Sequence, residues 1–483
     1  MKLLSNKWFL LSLGGVLLGF TGMNWNIPIF AWFALIPFMR YVRIGHSIWI
    51  LLACLILIQI FSTMRIVSEP LHLIIALISG IQGGIVFTCI LWFWNQIRKK
   101  YKSLSISIFT FAFSFTIMEW IGANYSELGV WGMLANSQLH NIILLQSASI
   151  FGATGISFLI YWFNAMAEEL VNELDTEKRI HKQTMAMSIF FLSILIILLF
   201  YGTIRLTIPI QGTQVKVATI TSHKSIQAIW NDPKENELNT EIVMQRTLQA
   251  AREGAKIIVW NEGAILVSKT MQTSFLESIS KIAKENQIEI IAALIVPEKD
   301  DIFFVENKIQ WIGKNGETRQ IYHKQFIPPG EPIYYQPSDV RVIPTEWGLM
   351  SIAICYDFDS LSLTKKHMEL GSGLTLIPAS DWKGIDPFHT EMAALRGIEN
   401  GSSIVRSTRG ALSGIYDPYG RAKGTLMYDE NSDGVLVATV PSEQIPTVYK
   451  SFGNWVVSFG FIYFIMLGGK YIFSLLKKFI SNL

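Results

Sequence analysis

Residues 349–355 read LMSIAIC, a short apolar run that ends in a cysteine. A bounded run of this length is typical of a buried strand, and we expect its last residue at a sheet edge, where a loop can open a pocket. Nucleophiles are often found at such positions. A lone cysteine is more often a small buried hydrophobic residue, so the run alone leaves a structural and a chemical interpretation of Cys355 open.

Two other segments supply residue types that suit a nucleophilic cysteine. Glu262 follows the apolar run 257–260, and Lys324 follows the second strand of a hairpin predicted around the turn at 314–317. A carboxylate can accept the thiol proton, and a fixed ammonium favours the thiolate and stabilises the oxyanion formed when sulfur attacks a carbonyl. A single glutamate or lysine is usually a surface residue, but three strand ends with these residue types predict one cysteine-dependent site.

Around these segments, short apolar runs alternate with amphipathic, charged helices. The predicted strands are residues 215–220, 257–260, 288–296, 349–354, 374–378, 403–407 and 434–440, and the predicted helices are residues 235–253, 273–285, 361–370 and 388–399. Such alternation predicts an α/β sheet covered by helices.

The rest of the chain is too apolar for a soluble domain. Hydrophobic residues make up 51% of the 483 residues and charged residues only 16%, an excess that one core could not hide. The apolar segments are residues 8–23, 27–38, 47–64, 71–94, 107–123, 142–167, 186–206 and 455–476. Several approach the roughly 20 residues that a helix needs to cross a bilayer, which predicts about eight spans.

The positions of lysine and arginine predict the orientation. Basic residues cluster before the first predicted span and after the second, fourth, sixth and eighth, so every cluster falls on one side of the membrane, which is the cytoplasmic side. We therefore expect both termini in the cytoplasm. The predicted domains are residues 1–206, a membrane domain of about seven helices; residues 207–454, an extracytoplasmic domain; and residues 455–483, a last span with a cytoplasmic tail.

Cysteine and histidine spacing predicts neither a disulfide at the site nor a metal. Cys54 and Cys89 lie in predicted spans, which leaves Cys355 without a partner in the outer domain. No His-x-x-x-His or Cys-x-x-Cys pattern occurs, and the sequence separates three candidate ligands, His223, His323 and His389. We therefore expect no metal and no other cofactor. The net charge of +3 is small and lies mainly in the basic loops, so we expect no nucleic-acid partner.

At these residues the chain resembles the nitrilase (carbon–nitrogen hydrolase) superfamily, whose members use a Glu-Lys-Cys triad in a four-layer αββα fold. The matching segments are VWNE at 259–262, YHK at 322–324, IAICYD at 352–357 and RGIEN at 396–400. With predicted spans on both sides, the whole chain resembles the integral-membrane branch of that superfamily, the apolipoprotein N-acyltransferases. The resemblance implies a polytopic helical membrane domain joined to a nitrilase-like αββα sandwich.

Further segments agree with this branch, and some residues depart from it. IPPGE at 327–331 resembles its PFGE loop, RSTRG at 406–410 resembles its RSTN motif, and Trp230 falls where the family has a tryptophan near the active-site mouth. Asn261 replaces a proline, Asp357 a glutamate and Arg409 an asparagine. The segment 324–331 is one residue short and lacks the family's histidine. These departures concern the acceptor and the loop geometry more than the cysteine chemistry.

The resemblance and the chemistry together assign roles. Cys355 is the expected nucleophile, Glu262 the general base and Lys324 the oxyanion-stabilising cation. The expected supporting residues are Glu331, which would orient Lys324 or the incoming amine, Tyr356, whose backbone N–H could be a second oxyanion donor, and Asp357. A packed aromatic role for Tyr356 is an alternative. Candidates for a lipid-facing aromatic rim are Trp230, Tyr334 and Tyr335, each of which could instead belong to the core.

The resemblance implies phospholipid-dependent N-acylation of the N-terminal S-diacylglyceryl-cysteine of lipoproteins, in two ping-pong steps through a cysteine thioester, in the bacterial inner membrane. The expected partners are a phospholipid acyl donor and a lipoprotein acceptor. Two alternatives remain open from sequence: a membrane-bound amidase acting on small amides, and an inactive lipid- or lipoprotein-binding scaffold. A small-amide hydrolase would leave the large apolar region without a purpose.

Overall fold

The computed structural model describes residues 2–68, 72–126, 128–222, 224–297, 305–328, 331, 338–429 and 434–480. The helices of the N-terminal part are α1 (Lys7–Gly19), α2 (Ile36–Arg43), α3 (Ile48–Met64), α4 (Leu73–Tyr101), α5 (Leu104–Tyr125), α6 (Ile142–Leu145), α7 (Ala148–Thr176) and α8 (Lys182–Thr207). Within the described ranges, α4, α5, α7 and α8 are long and apolar enough to cross a membrane, whereas α1, α3 and residues Trp455–Tyr471 form shorter apolar helices. These helices fit the expected membrane region; the number of eight spans stays a prediction.

Two of the predicted spans have a different local structure. Residues 27–38 form a 3₁₀ helix, Pro28–Trp32, and the start of α2 instead of one continuous helix. Pro28 and Pro37 each lie at the first positions of a helix, where a missing N–H costs nothing, so each begins a new element. Residues 142–167 are divided between α6 and α7, and α7 is kinked at Gly152, where φ is 70°.

The C-terminal part is an α/β fold. Its strands are β1 (Gln214–Ile220), β2 (Ile257–Trp260), β3 (Ile265–Leu266), β4 (Glu289–Pro297), β5 (Val305–Ile312), β6 (Thr318–His323), β7 (Val342–Thr345), β8 (Gly348–Ile352), β9 (Leu374–Ser380), β10 (Ser403–Arg409), β11 (Ser413–Tyr416), β12 (Ala422–Leu426) and β13 (Val435–Pro441). Its helices are α9 (Ile226–Asn231), α10 (Pro233–Arg252), α11 (Gln272–Asn286), α12 (Leu361–Glu369), α13 (Phe388–Asn400) and α14 (Val448–Phe452), followed by α15 (Trp455–Ile480).

These strands form two sheets with parallel centres. The first has the order β13-β1-β2-β4-β5-β6, with β3 beside β4, and the second has the order β12-β11-β10-β9-β8-β7. Strands β1, β2 and β4 run parallel, as do β8, β9 and β10. Because the carboxyl ends of parallel strands meet at one edge of their sheet, residues that follow β8, β9 and β10 come together there. The first sheet brings Glu262, after β2, to the same place, since its N–H donates to the carbonyl of Ala379 in β9 at 3.2 Å.

The two sheets pack face to face between two layers of helices. Val217, Val259 and Ile291 of the first sheet share a buried cluster with Leu376 and Val405 of the second. The outer face of the first sheet is covered by α10 and α11, and α13 packs on the outer face of the second. This is the αββα arrangement expected from the sequence, and the α/β prediction is confirmed.

The α/β part and the helical part share a continuous apolar core. Helix α7 packs against α5 within the helical part and against α13 and α14 of the α/β part. Tyr356, next to the expected nucleophile, lies in the same buried cluster as Trp131, from the segment between α5 and α6, and Phe115 of α5. The strand-end edge that carries Cys355 therefore faces the apolar helices.

Candidate active site

Cys355 lies at a sharp turn directly after β8. Its φ is +47°, a left-handed conformation that a residue with a side chain rarely adopts, and it begins a 3₁₀ helix, Cys355–Asp359. Such backbone strain persists only where the surrounding structure fixes it, and it clusters at functional sites. The thiol is 4% exposed. Two groups of charged side chains surround it.

The first group, here called the Lys324 cluster, consists of Glu262, Lys324 and Glu331. Lys324 Nζ donates to Glu262 Oε1 at 2.9 Å and to Glu331 Oε2 at 2.5 Å. The amide of Asn307 also donates to Glu262 Oε1, at 2.6 Å. Burial alone would lower the pKa of Lys324, but the charges of Glu262 and Glu331 outweigh it and raise that pKa well above its ordinary value. Lys324 is therefore a permanent cation at neutral pH.

Burial raises the pKa of both acids next to this cation. It raises the pKa of the Glu331 carboxyl to about 7, although Lys324 acts in the other direction. It also raises the pKa of the Cys355 thiol well above its usual value, and the charges of Glu262 and Asp381 add to the effect. At neutral pH the resting sulfur is therefore a thiol and needs a base when it reacts.

The second group, here called the Arg406 cluster, consists of Asp359, Asp381, His389 and Arg406. Arg406 pairs with both oxygens of Asp381, at 2.9 and 3.1 Å, and its Nη2 lies 3.7 Å from Cys355 Sγ. Asp381 Oδ1 lies 3.6 Å from the same sulfur. The histidine bridges the two carboxylates: Nδ1 lies 2.9 Å from Asp381 and Nε2 lies 2.8 Å from Asp359.

The members of the Arg406 cluster are ionised because they stabilise one another's charges. Burial and the charge of Arg406 act to lower the pKa of His389. The carboxylates of Asp359 and Asp381 outweigh them, and the pKa rises from 6.5 to about 9. Burial would raise the pKa of Asp381, yet Arg406 and His389 bring it below its usual value. Two cations thus face two carboxylates behind the thiol, so the cluster is electrically balanced. Trp131 extends it toward the helical part, since its Nε1 donates to Asp359 Oδ2 at 2.7 Å.

The Arg406 cluster also contains a potential set of metal ligands. The sulfur of Cys355, a carboxylate oxygen of Asp381 and a ring nitrogen of His389 lie within 4.8 Å of one another. However, Arg406 Nη2 lies 2.9 Å from His389 Nδ1 and 3.1 Å from Asp381 Oδ1, so a cation already occupies the centre of this set. A second cation would meet strong repulsion at that distance. The donor set fits an ion-pair network better than a metal site.

Asp357 joins the nucleophile's turn to the segment that carries Lys324. Its Oδ1 accepts from the backbone N–H groups of Gln325 at 2.9 Å and Phe326 at 2.7 Å. Its Oδ2 accepts from the Tyr322 hydroxyl at 2.8 Å and from the N–H of Ile354 at 3.2 Å. Burial raises the pKa of this carboxyl to about 6. Asp357 therefore links the turn of Cys355 to the segment that follows Lys324.

Known proteins match both parts of the chain. An apolipoprotein N-acyltransferase N-terminal domain model matches residues 14–166, and a carbon–nitrogen hydrolase model matches residues 216–450. The chain belongs to the apolipoprotein N-acyltransferase family. The helical part therefore matches the N-terminal domain of that family, and the α/β part matches a carbon–nitrogen hydrolase.

Relatives with that name span most of the chain. The protein of Rickettsia typhi is 24% identical over 417 residues, which are 80% of this chain and 79% of that protein. The protein of Geobacter metallireducens is 22% identical over 372 residues, 71% of this chain and 70% of that protein. Among solved structures, a Nesterenkonia amidase of the nitrilase superfamily covers 49% of this chain and 93% of its own, with 18% identity and a TM-score of 0.40.

The turn after β2 shows how this member accommodates Asn261 in place of the family's proline. The Asn261 side chain accepts from the N–H of Ser222 at 2.5 Å and donates to the carbonyl of Glu262 at 2.9 Å, so hydrogen bonds fix the turn. Gly263 follows with φ of +56°, and a Cβ there would lie 2.9 Å from Ile226 Cδ1. Helix α9, which carries half-buried Trp230, thus packs directly on the loop that holds Glu262.

Of the other residues singled out in the sequence, the structure describes Tyr356 but not Tyr334, Tyr335 or His223. The side chain of Tyr356 is buried, with its ring 5.7 Å from that of Trp131, which agrees with the packed aromatic role. Its backbone role as an oxyanion donor stays a prediction. Tyr334, Tyr335 and His223 lie outside the described residues.

His389 was set aside in the sequence because it lies far from other possible ligands. The structure brings it into the same charged group as Asp359 and Asp381, which are 30 and 8 residues away in the chain. No spacing pattern signals this arrangement, because the three residues belong to a 3₁₀ helix, a strand end and the start of α13. The sequence offers one signal, which is that Asp381 closely follows the predicted strand 374–378.

Proposed function

We propose that this protein transfers an acyl chain from a membrane phospholipid to the N-terminal S-diacylglyceryl-cysteine of lipoproteins, with Glu262, Lys324 and Cys355 as its catalytic residues. One observation carries the proposal: a thiol held in a strained turn between two ion-pair clusters, at an edge that faces apolar helices. An amidase for small soluble amides would need the thiol but not the helices.

In the first step, Glu262 accepts the proton of Cys355 as the sulfur adds to an ester carbonyl of the phospholipid. Because burial keeps the resting sulfur protonated, attack and proton transfer are coupled. Lys324 stabilises the resulting oxyanion. The ester C–O bond then breaks, Glu262 returns the proton to the departing oxygen, and a lysophospholipid leaves an acyl thioester on Cys355.

In the second step, the free α-amine of the diacylglyceryl-cysteine adds to the thioester carbonyl and gives one proton to Glu262. The C–S bond breaks, the sulfur recovers its proton, and the product is an amide. Glu331, whose pKa lies near 7, can hold either protonation state and so can orient the amine while it keeps Lys324 in place. The two steps share one carbonyl site, as ping-pong chemistry requires.

The topology belongs to the same proposal. About eight spans, cytoplasmic termini and an extracytoplasmic α/β domain in the bacterial inner membrane would place both lipid substrates at the outer surface of the bilayer. The contact between Tyr356 and the apolar core supports a site close to the lipid, since two membrane-bound substrates must reach the same sulfur.

The test is complementation in a strain that lacks lipoprotein N-acylation. Cells that express this protein should contain lipoproteins whose mass is larger by one acyl chain, whereas cells that express Cys355→Ala protein should not. An exposed substitution, Arg252→Asn, serves as the matched expression control. Unchanged lipoprotein masses with normally inserted wild-type protein would contradict the proposal, and ammonia release from small amides by that protein would support the amidase. Growth of the strain restored by Cys355→Ala protein, with lipoprotein masses unchanged, would support the inactive scaffold and exclude both enzymes.

A further inference from the structure

Arg409 lies between the loop of the proposed base and the loop of the nucleophile. It is the last residue of β10 and is 6% exposed. Its Nη1 donates to the carbonyl of Gly263 at 3.3 Å, and Gly263 directly follows Glu262. Its Nη2 donates to Ser380 Oγ at 2.8 Å, and the carbonyl of Ser380 lies 3.9 Å from Cys355 Sγ. The guanidinium therefore joins the loop of Glu262 to the end of β9, beside Cys355.

The charge of Arg409 has no contact partner of opposite sign among the described residues. The two other buried arginines of the α/β part are paired: Arg396 with Glu399 at 2.7 Å, and Arg406 with Asp381 at 2.9 Å. Arg409 instead donates to two neutral oxygens. Burying a charge without a partner of opposite sign is costly, so a ligand with negative charge would stabilise Arg409.

The buried guanidinium stays a cation at neutral pH. Burial lowers the pKa of Arg409 to about 10, while the more distant Glu262 and Glu331 oppose that change. Both of these carboxylates already bond to Lys324. Of the five N–H donors of an arginine, the contacts to Gly263 and Ser380 use two, and the rest can bind a ligand.

The chemistry of the remaining donors indicates the ligand. A guanidinium presents a planar fork of N–H groups that matches two oxygens of a phosphate. In a phospholipid, the phosphodiester is only a few covalent bonds from the ester carbonyl that must reach Cys355. An acyl donor in position for attack thus brings an anion close to Cys355, where Arg409 lies. The asparagine of the resembling family at this position could offer hydrogen bonds but no charge.

We propose that Arg409 binds the phosphodiester group of the phospholipid acyl donor and so selects phosphate-bearing donors in the first step. This inference rests on the proposed function, because it assumes a phospholipid ester at Cys355. It adds a headgroup subsite formed by the end of β10 and by the loops that follow β2 and β9.

The test compares two acyl donors with the purified full-length protein in detergent: phosphatidylethanolamine and a neutral p-nitrophenyl fatty acyl ester that lacks phosphate. For each donor, kcat/KM for acylation of Cys355 is measured in wild type, Arg409→Asn and Arg409→Lys. The ratio of phosphatidylethanolamine to neutral ester should fall about tenfold in Arg409→Asn, through KM, which is the loss expected for one charge-assisted contact. Arg409→Lys should recover part of it. Arg252→Asn, at an exposed position, should keep the wild-type ratio.

Two further arms identify the source of the anion and separate this inference from the proposed function. Inorganic phosphate at millimolar concentration should compete with phosphatidylethanolamine only weakly if the lipid headgroup is the ligand; strong competition that is lost in Arg409→Asn would reveal a free-phosphate site and overturn the headgroup assignment. Binding of phosphatidylethanolamine to the non-reactive Cys355→Ala protein should weaken about tenfold when Arg409→Asn is added.

The results that contradict the inference are distinct. An equal loss of kcat/KM with both donors would make Arg409 a structural residue or one that acts on Glu262. Unchanged binding of phosphatidylethanolamine in the Cys355→Ala background would also overturn it. If wild type forms no acyl-enzyme with either donor, the proposed function fails, and the binding measurement alone still decides whether Arg409 contacts the headgroup.

Discussion

The two charged clusters beside Cys355 differ in their balance. The Lys324 cluster has two carboxylates and one ammonium, and burial places the pKa of Glu331 near 7. The Arg406 cluster has two carboxylates, a guanidinium and a histidine whose pKa is raised to about 9, so its charges cancel. A group that can change protonation near neutral pH suits proton transfer, whereas a balanced network suits positioning. We infer that the first cluster performs chemistry and that the second fixes the sulfur.

The clusters also connect to different parts of the molecule. Lys324 follows β6 of the first sheet and Glu262 follows β2, so the Lys324 cluster belongs to the α/β part. The Arg406 cluster continues through Asp359 to Trp131, in the segment between α5 and α6. The position of the sulfur is thus linked to the helical part by hydrogen bonds.

The largest expected effect is the loss of acylation rate when the Lys324 cluster is changed. Glu262→Gln should lower the rate of Cys355 acylation by about 10³-fold, as loss of a general base does. Its amide oxygen can still accept from Lys324 and Asn307, so the free energy of unfolding should change little. Acylation is measured by quenching the reaction at set times and recording the intact mass of the protein. Unfolding is measured by denaturant titration in detergent. An acylation rate of Glu262→Gln protein within about tenfold of wild type would show that Glu262 is not the general base.

A substitution that breaks the Arg406 cluster should lower the stability of the fold more than it changes the chemistry of Cys355. Arg406→Gln leaves the buried carboxylate of Asp381 with one of its two cations, and the unfolding free energy should fall by about 3 kcal/mol. Denaturant titration of the detergent-solubilised protein measures this loss, with exposed Arg252→Gln as control. An unchanged unfolding free energy together with lost acylation would instead place Arg406 in the chemistry.

The raised pKa of His389 predicts a pH dependence with a definite sign. The folded protein holds its proton up to about pH 9, whereas the ordinary value is 6.5. The stabilisation from this charge is therefore complete below pH 6.5, and it is lost as pH rises from 6.5 through 9. Wild type should lose more stability across this window than His389→Gln. Parallel stability curves for the two proteins would show that His389 is not a buried cation.

The smallest effect is expected at the link to the helical part. Trp131→Phe keeps an aromatic ring against Tyr356 but removes the N–H that bonds to Asp359. Because His389 still donates to the same oxygen, the unfolding free energy should fall by only about 1 kcal/mol. A loss as large as that of Arg406→Gln would mean that the helical part, and not the ion pairs, fixes the cluster.

Parts of this arrangement could be predicted because they lie on regular strands. The runs that precede Glu262 and Cys355 form β2 and β8, and the carboxyl ends of these two strands come together because their sheets stack face to face. The edge strands β7 and β12 and the neighbouring β11 escaped prediction, since all three are short. Hydropathy predicts one span over residues 27–38, because a hydropathy pattern does not reveal the helix starts at Pro28 and Pro37.

The rest of the site depends on contacts between distant residues. Asp357 looked like a change in acceptor recognition, but its oxygens bond to backbone N–H groups of Gln325 and Phe326, which only the folded loop places there. His389 and Trp131 reach Asp359 from a different helix and from the helical part. Such convergence leaves no periodic signal in the sequence.

The central claim is that Cys355 carries an acyl chain between two lipid substrates. Its most direct test is the intact mass of purified protein after incubation with phosphatidylethanolamine and no acceptor. We expect a mass increase of one acyl chain that is absent in Cys355→Ala protein, released by hydroxylamine, and discharged when a diacylglyceryl lipopeptide is added. An unmodified Cys355 in protein that still N-acylates the lipopeptide would contradict the account.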